Sequence, residues 1–274
     1  MDKSPNSELQ EISYPHLGIK IMAGLNRPRD EMQENIRINC QRGLPEVWPH
    51  AAQETVLALV GGGPSLEDTL DELMEVNKQG GKIVALAGSA RYLLDHGITP
   101  NAHVLLDSRI GNVDFVTDTE CTYFVASQCD PAVFDALKGR KTYIFHAIND
   151  PNDNDVIKDY VEKWVPIQGG NTIGLRALRL FQVLGYYRFE LFGYDCCNLN
   201  GKHHAYRQVS GDDMKTASIQ VNGRKFEMSA YQIQQFMEFM RMTKIFGQDW
   251  EIASHGDGLI SHAIRSTQNG SDRI

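Results

Sequence analysis

The stretch from Thr55 to Leu70, TVLALVGGGPSLEDTL, constrains the fold more than any other part of the chain. Val56 to Val60 is a short apolar run with β-branched ends, a pattern typical of a buried strand. Three glycines, Gly61 to Gly63, follow it. Apolar residues then recur at helical spacing, at Leu66, Leu70, Leu73 and Met74. The pattern therefore predicts a strand, a glycine turn and a helix.

Two interpretations of this turn are open. Glycines let the backbone approach a ligand closely, and a helix N-terminus offers unpaired N–H groups, so the turn suits a phosphate group. The alternative is a tight strand-to-helix turn with a packing role only. The turn is not a Walker A loop, because no Lys-Ser/Thr pair follows the glycines. It also lacks the dinucleotide fingerprint, since Pro64 and Ser65 break the spacing to a third glycine.

Composition narrows the class of protein. The chain has 274 residues, of which 42% are hydrophobic and 23% charged, as in an ordinary globular protein. A net charge of −8 argues against a general nucleic-acid binder. There is no apolar run long enough for a membrane span, and the polar N-terminus is unlike a secretory signal peptide. Five cysteines without CxxC spacing favour reduced thiols, so we expect a cytoplasmic protein.

From residue 55 onward, strand and helix patterns alternate. Strands are predicted over residues 56–60, 82–87, 102–106, 122–126, 141–145 and 189–192. Later, Asn222-Gly223 is the preferred pair for a two-residue hairpin turn, and Ser229 is placed to cap a long helix ending near Phe246. This alternation predicts an α/β fold, a doubly wound and mostly parallel sheet with helices on both faces, plus a C-terminal β-hairpin and long helix.

The same patterns divide the chain into four segments. Residues 1–54 are an N-terminal lead-in with a helix, 55–200 a nucleotide-binding core, 201–265 a loop, hairpin and helix appendage packed on the core, and 266–274 a flexible tail. The lead-in helix, 29–42, is expected to face inward with Met32, Ile36 and Ile38. For the long helix the expected inner residues are Ile233, Phe236, Met237, Met240 and Ile245. A further helix is expected over 155–164.

In doubly wound sheets, ligands bind beyond the carboxyl ends of the strands. The residues predicted there are Gly61 to Ser65, Gly88-Ser89, Asp107 to Arg109, Ser127, His146 and Tyr194-Asp195. A second glycine turn, Gly169-Gly170-Asn171, precedes the buried helix that begins at Thr172. Two such turns in one sheet favour a phosphate-bearing ligand over packing alone.

Three motifs together resemble one family. They are the turn Gly61-Gly62-Gly63-Pro64-Ser65-Leu66, the Leu-Leu-Asp that ends at Asp107, and the Gly-Gly-x-Thr that opens a helix leading to LFGYD. They resemble the MptE-like family, which is named for 6-hydroxymethylpterin diphosphokinase and includes the Maf motility-associated glycosyltransferases. The turn and the later helix and strand also look like bacterial lipooligosaccharide sialyltransferases, which use CMP-sugars. The resemblance spans roughly residues 30 to 207.

The resemblance implies a Rossmann-like fold that binds a nucleotide or nucleotide-sugar as donor. The positions it assigns, with the strand-end residues, to nucleotide or phosphate binding are Gly61, Gly62, Gly63, Pro64, Ser65, Ser89, Asp107, Gly170, Asn171 and Thr172. Asp195 and His204-Ala205 resemble the Maf-type GxDLA…HA segment, so Asp195 and His204 are the catalytic candidates, and His204 is preferred to His203 as the base. An imidazole suits that role because its ordinary pKa is close to cellular pH.

Three functions follow as hypotheses. The first is a glycosyltransferase acting on a nucleotide-activated sugar and an unknown acceptor. The second is a pterin-type diphosphokinase that uses ATP and Mg²⁺, with Asp107 as the candidate metal ligand. Pterin diphosphokinases carry an acidic cluster there, whereas this chain has one carboxylate beside Arg109. The third is a non-catalytic nucleotide-binding module. In each case the Met-rich long helix can pack against a second copy of the chain.

Overall fold

The computed structural model describes residues 10–14, 19–23, 27–148, 153–207 and 216–268. The chain forms two compact units. The smaller one contains Met1–Val47 and Leu105–Gln168, and the larger one contains Trp48–Val104 and Gly169–Ile274. These units group residues by contacts in space, and the division into four segments along the chain stays a prediction.

The elements follow one another in this order: β1 (Gln10–Tyr14), β2 (Ile19–Ala23), α1 (Arg29–Cys40), β3 (Leu57–Val60), α2 (Leu70–Lys78), β4 (Lys82–Leu86), α3 (Ser89–Asp95), β5 (Ala102–Leu105), β6 (Thr122–Ala126), α4 (Pro131–Ala136), β7 (Thr142–Ala147), α5 (Asp153–Lys158), β8 (Pro166–Ile167), α6 (Ile173–Val183), β9 (Arg188–Phe192), β10 (Thr216–Val221), β11 (Arg224–Ser229), α7 (Ala230–Phe246), β12 (Glu251–Ser254) and α8 (Leu259–Gln268). Two 3₁₀ helices, Pro64–Asp68 and Ile110–Phe115, lie between β3 and α2 and between β5 and β6.

In the larger unit, five parallel strands lie in the order β12-β9-β3-β4-β5. Strands β3 and β9 are fully or largely buried, since Leu57, Leu59 and Leu191 are at most 1% exposed. Such strands carry near-continuous apolar runs because helices cover both faces of a parallel sheet. The predicted α/β fold with a mostly parallel sheet is confirmed.

The smaller unit contains two separate sets of paired strands. Strands β1 and β2 pair in an antiparallel arrangement that the sequence did not predict, and β6, β7 and β8 pair in parallel. Helix α1 is fastened to the end of β6 by side-chain amides. Asn39 Nδ2 donates to the carbonyls of Ser127 (2.9 Å) and Cys129 (2.7 Å), and Asn35 Nδ2 donates to the carbonyl of Gln128 (3.1 Å).

The C-terminal hairpin and long helix are confirmed. Strands β10 and β11 are antiparallel, and both turn residues, Asn222 (φ 47°) and Gly223 (φ 79°), have the positive φ that a type I′ turn requires. Ser229 caps α7 in a capping box with Gln232, because each side chain bonds the backbone N–H of the other.

Three residues expected to face inward are exposed instead. Ile38 is 40% exposed, Met74 37% and Ile245 51%. In α1, Asn35 and Asn39 face inward because their side-chain amides donate hydrogen bonds to buried backbone carbonyls. In α2, the helix starts at Leu70 after a 3₁₀ segment, so the buried positions are Leu73 and Val76. In α7, Phe239 and Met242 take the buried positions near the C-terminal half.

Helix boundaries also differ from the predictions. Helix α5 ends at Lys158, well before the predicted end at residue 164. Helix α8 was not predicted and extends to Gln268, into the segment expected to be a flexible tail. Residues 269–274 of that segment lie outside the described residues. None of the helices in the described part of the chain is long and apolar enough to cross a membrane.

A histidine between two carboxylates fastens the end of β12 to its neighbours. His255 Nε2 bonds Glu190 of β9 at 2.9 Å, and its Nδ1 bonds Glu72 of α2. The ring stacks on Phe192, with centroids 4.1 Å apart and planes within 5°. Burial lowers the pKa of His255, but the hydrogen bonds that its ring donates to Glu190 and Glu72, and the charges of those carboxylates, outweigh burial and raise the pKa above its ordinary value.

We expect His255→Gln to destabilise the protein most at mildly acid pH. Because the folded-state pKa is raised, the stabilisation is complete below the unfolded-state pKa and disappears as pH rises through the folded-state value. Urea unfolding at pH 6 should show a loss of about 1 to 2 kcal/mol, and a smaller loss at pH 9. An equal loss at both pH values would contradict a charged histidine in this position.

Candidate functional site

The strand order of the larger unit reverses between β3 and β9. The chain runs from β3 to β4 and β5 on one side, whereas β9 and β12 lie on the other side of β3. The two strands are paired in parallel from Leu57 opposite Phe189 to Val60 opposite Phe192, so their carboxyl ends coincide. Such a switch point opens a crevice in which doubly wound proteins bind ligands.

The first glycine turn packs closely on the turn that follows β9. Gly61 N–H donates to the carbonyl of Phe192, and Gly63 N–H donates to that of Gly193, both at 2.8 Å. A Cβ on Gly63 would lie 2.6 Å from Gly193 O and 2.3 Å from Asp195 Oδ2. The glycines are therefore required because two backbones meet here without room for side chains.

Most of the backbone N–H groups of the turn, which a phosphate would need as donors, already form hydrogen bonds within the protein. Besides Gly61 and Gly63, Ser65 N–H donates to Asp195 Oδ2 (2.9 Å), and Leu66 N–H donates to Gly63 O (3.1 Å). Among the described residues, Gly62 N–H is the amide of this turn that makes no hydrogen bond. The packing interpretation of the turn is therefore supported by these contacts, and its role in phosphate binding stays a prediction.

Asp195 lies at the base of the turn and is 3% exposed. Its carboxylate is enclosed, because a Cβ on Gly63 would meet Oδ2 and one on Gly258 would meet Oδ1, each at 2.3 Å. Burial raises the pKa of Asp195, and the hydrogen bonds from Ser65 offset part of that rise. In this position the carboxylate holds the glycine turn in place.

Ser89, another predicted phosphate ligand, is fully buried. Its Oγ donates to the carbonyl of Val60 (2.7 Å) and accepts from the N–H of Leu86 (2.8 Å). The hydroxyl therefore ties the carboxyl ends of β3 and β4 together, directly before the glycine turn.

The predicted base lies on the glycine turn. Ala205 N–H donates to Gly62 O at 3.0 Å. A Cβ on Gly62 would lie 2.5 Å from Tyr206 Oη and 3.4 Å from His204 Cδ2. Lys202 adds a surface ion pair with Glu67, at 2.7 Å. The structure thus brings together Gly62 and His204, which are far apart in sequence, with the imidazole partly buried.

The start of α6, which follows the second glycine turn, meets the first glycine turn across Tyr194. Tyr194 Oη donates to the carbonyl of Gly174 in α6 (3.1 Å). Cβ atoms built on Gly61 and Gly174 would lie 3.4 and 2.9 Å from the Tyr194 ring. Thr172 Oγ1 caps this eleven-residue helix by accepting from Leu175 N–H (3.4 Å), and no hydrogen bond from the N–H of Ile173 or Gly174 is formed within the described residues.

Asn171 is engaged by a residue that the sequence analysis missed. Its backbone N–H donates to Glu238 Oε2 (2.8 Å), and its Nδ2 donates to Oε1 (2.7 Å). Burial raises the pKa of Glu238, although its hydrogen bonds and nearby guanidinium groups oppose the rise. The sequence did contain a feature that singles out this residue, because Glu238 is the one acidic residue within α7.

Asp107 belongs to the smaller unit. Its carboxylate accepts from Arg109, through the backbone N–H (3.0 Å), Nε (3.0 Å) and Nη2 (2.6 Å). A guanidinium so placed neutralises the charge that Mg²⁺ would require. The described residues also contain no group of three or more His, Cys, Asp or Glu side chains placed to hold a metal. The residues here do not fit a magnesium site.

A cavity of about 590 Å³ lies elsewhere in the larger unit, between β9, β12, α7 and α8. Its walls include Phe189, Phe239 and Trp250. It contains none of the predicted site residues, and it opens beside the amino-terminal halves of β9 and β12.

A family model matches residues 31–201, which is more than half of the chain. The family is described as 6-hydroxymethylpterin diphosphokinase MptE-like. The chain belongs to the MptE-like family. The matched region includes both glycine turns and Asp195, and it ends before His204 and before Glu238. No curated protein matches the chain.

The MptE-like chain is similar in structure to the Maf glycosyltransferase from Magnetospirillum magneticum AMB-1, with a TM-score of 0.67. The two share 18% sequence identity, and the match covers 86% of this chain and 38% of that one. At this identity the match shows the fold. The chain therefore spans well under half of the length of that protein.

We expect Gly63→Ala to destabilise this MptE-like protein by about 2 kcal/mol or more, because the added Cβ meets backbone as well as Asp195. Gly111→Ala is the matched control, since a Cβ there meets nothing within 4 Å. The control should change the free energy of unfolding by less than about 0.5 kcal/mol. Chemical denaturation of both variants measures the difference, and equal stabilities would contradict the close approach described above.

Proposed function

We propose that this MptE-like protein is a transferase that uses a nucleotide-activated sugar, with the donor phosphate at the switch point and His204 as the base. The observation that carries the proposal is the contact between Gly62 and the segment 204–206. It brings an imidazole next to a backbone N–H that makes no hydrogen bond within the described residues. A base and an anion donor side by side suit a transfer from a phosphate-linked donor.

Similarity supports the proposal independently. The family is named for a diphosphokinase and the structural neighbour is a glycosyltransferase, and both are transferases. The neighbour also shares the arrangement of the sheet, because the match covers 86% of this chain.

The proposed reaction uses few groups of the chain. The His204 imidazole takes the proton of an acceptor hydroxyl, and the oxygen forms a bond to the anomeric carbon of the sugar. The bond between that carbon and the donor's phosphate oxygen breaks, and the nucleotide leaves with the electron pair. The N–H groups of Gly62, Ile173 and Gly174 would stabilise the departing phosphate, as helix N-termini do for anions.

The diphosphokinase alternative is less well supported. It requires Mg²⁺ held by carboxylates, and Asp107 is already paired with Arg109. We therefore prefer glycosyl transfer, to a small-molecule acceptor that the chain does not identify.

Nucleotide binding is tested first, by thermal unfolding with CMP, UDP, GDP, ADP and CMP-sugars. A ligand that binds the folded state stabilises it by about 2.7 kcal/mol at 100 times its Kd. At least one of these compounds should raise the melting temperature at millimolar concentration. If none of them does, the proposed function is wrong.

The base is tested by His204→Ala, with His203→Ala as the matched control. Removal of a general base should lower turnover by about 10² to 10⁴-fold while nucleotide affinity persists. His203 bonds Asn198 at 3.4 Å instead of contacting the turn, so its removal should leave most of the activity. Release of nucleotide from the sugar nucleotide that stabilises the protein measures turnover. Unchanged turnover in His204→Ala would show that the base is another group.

A further inference from the structure

Asn171 and Glu238 form a close pair within the larger unit. Asn171 was predicted to bind the phosphate of the donor, yet both of its donors face one carboxylate. The backbone N–H and the side-chain amide each reach a different oxygen of Glu238, at 2.8 and 2.7 Å. Two hydrogen bonds to the two oxygens of one anion are the arrangement in which a peptide segment holds a phosphate or a carboxylate.

We infer that Glu238 is an affinity-determining residue of the proposed donor site: its carboxylate competes with the ligand anion for Asn171 and must withdraw before the ligand contacts that residue. This inference rests on the proposed function, because it assumes that an anion binds beside the second glycine turn. It assigns a role at that site to helix α7, which lies outside the region matched by the family model.

The turn does not need Glu238 for its shape. Arg176 Nη2 donates to the carbonyl of Gly170 at 2.8 Å, and Arg176 is 2% exposed, so a buried guanidinium already fixes that carbonyl. Thr172 caps α6 through Leu175 N–H. A Cβ on Gly170 would meet Leu175 Cβ at 2.2 Å, which shows how closely the turn packs on the helix it precedes. A positioning role for Glu238 would therefore duplicate contacts that the turn already has.

Beyond Asn171, the carboxylate has weak contacts among the described residues. Asn171 is exposed and Glu238 is partly buried, on the surface of α7. The remaining contact of the carboxylate, from Gln234 Nε2, is long at 3.5 Å. Arg176 and Arg241 lie close enough for their charges to act on it, so a displaced carboxylate keeps favourable partners. By contrast, a carboxylate that stays beside a phosphate repels it.

The test uses the 274-residue chain and two variants, Glu238→Ala and Glu238→Gln. Titration calorimetry with CMP, UDP, GDP and ADP in turn, and with inorganic sulfate, measures affinity. Glu238→Ala should bind the anion about tenfold more tightly than the wild type, since one negative charge has left the site. Glu238→Gln keeps an acceptor without the charge and should fall between the two. It also preserves the shape of the contact, so it remains informative if the alanine variant folds poorly.

Glu75→Ala is the matched control. It removes the same charge from an exposed ion pair with Lys78 on α2, and its affinity for the anion should equal that of the wild type. Weaker or unchanged binding in both Glu238 variants would overturn the inference, and so would an equal gain in Glu75→Ala. If neither wild type nor variant binds any anion, the inference is also wrong.

The outcomes separate this inference from the proposed function. If nucleotides bind the wild type and the Glu238 variants equally well, the proposed function is retained and the role of Glu238 is rejected. If Glu238→Ala binds sulfate more tightly than the wild type, yet no nucleotide binds either protein, the competition is supported and the nucleotide donor is rejected.

Discussion

The close approach of two backbones at the carboxyl ends of β3 and β9 is the constraint on which the site depends. Gly63 N–H bonds Gly193 O, and no side chain fits between the two turns. Because the strand order reverses between these strands, the turns border the crevice in which a ligand would bind. The side chains of Asp195, Ser89 and Tyr194 stabilise this arrangement. Each bonds or packs against a backbone group whose place is set by that approach.

The polar groups of the candidate site divide into those that maintain the fold and those to which the proposed function assigns chemistry. The Ser89 hydroxyl and Oδ2 of Asp195 are buried and bonded to backbone, as most buried polar atoms are. Under that proposal, the partly buried imidazole of His204 and the first amides of α6 belong to the second set. A list of strand-end residues does not separate the two sets, because the separation depends on which carbonyl or amide lies opposite each side chain.

Sequence patterns predict those structural features that depend on residues close together in the chain. The apolar run before Gly61, the Asn222-Gly223 turn and the cap at Ser229 depend on neighbours within a few residues, and all three were predicted from the sequence. The inward position of Asn39 was missed, because it depends on carbonyls of Ser127 and Cys129 that lie about ninety residues away. Hydrophobic periodicity favours Ile38 for that position. Asn39 occupies it instead, because buried carbonyls without a hydrogen bond would raise the free energy of the folded state. Glu238 was missed for the same reason, since only the fold shows that it faces Asn171.

Two carboxylates bond to the amides of the two glycine turns, and their surroundings differ. Asp195 is enclosed by Gly63 and Gly258 and cannot leave without opening the turn. Glu238 lies on a helix surface, and its contact with Gln234 is long at 3.5 Å, so fewer contacts hold it than hold Asp195. Under the proposed function, an anion that entered the crevice would meet the amides of Gly62 and of the start of α6, whereas the two donors of Asn171 would become available only by exchange with Glu238. The two turns would then differ in their contribution to binding, although their glycine-rich sequences look alike.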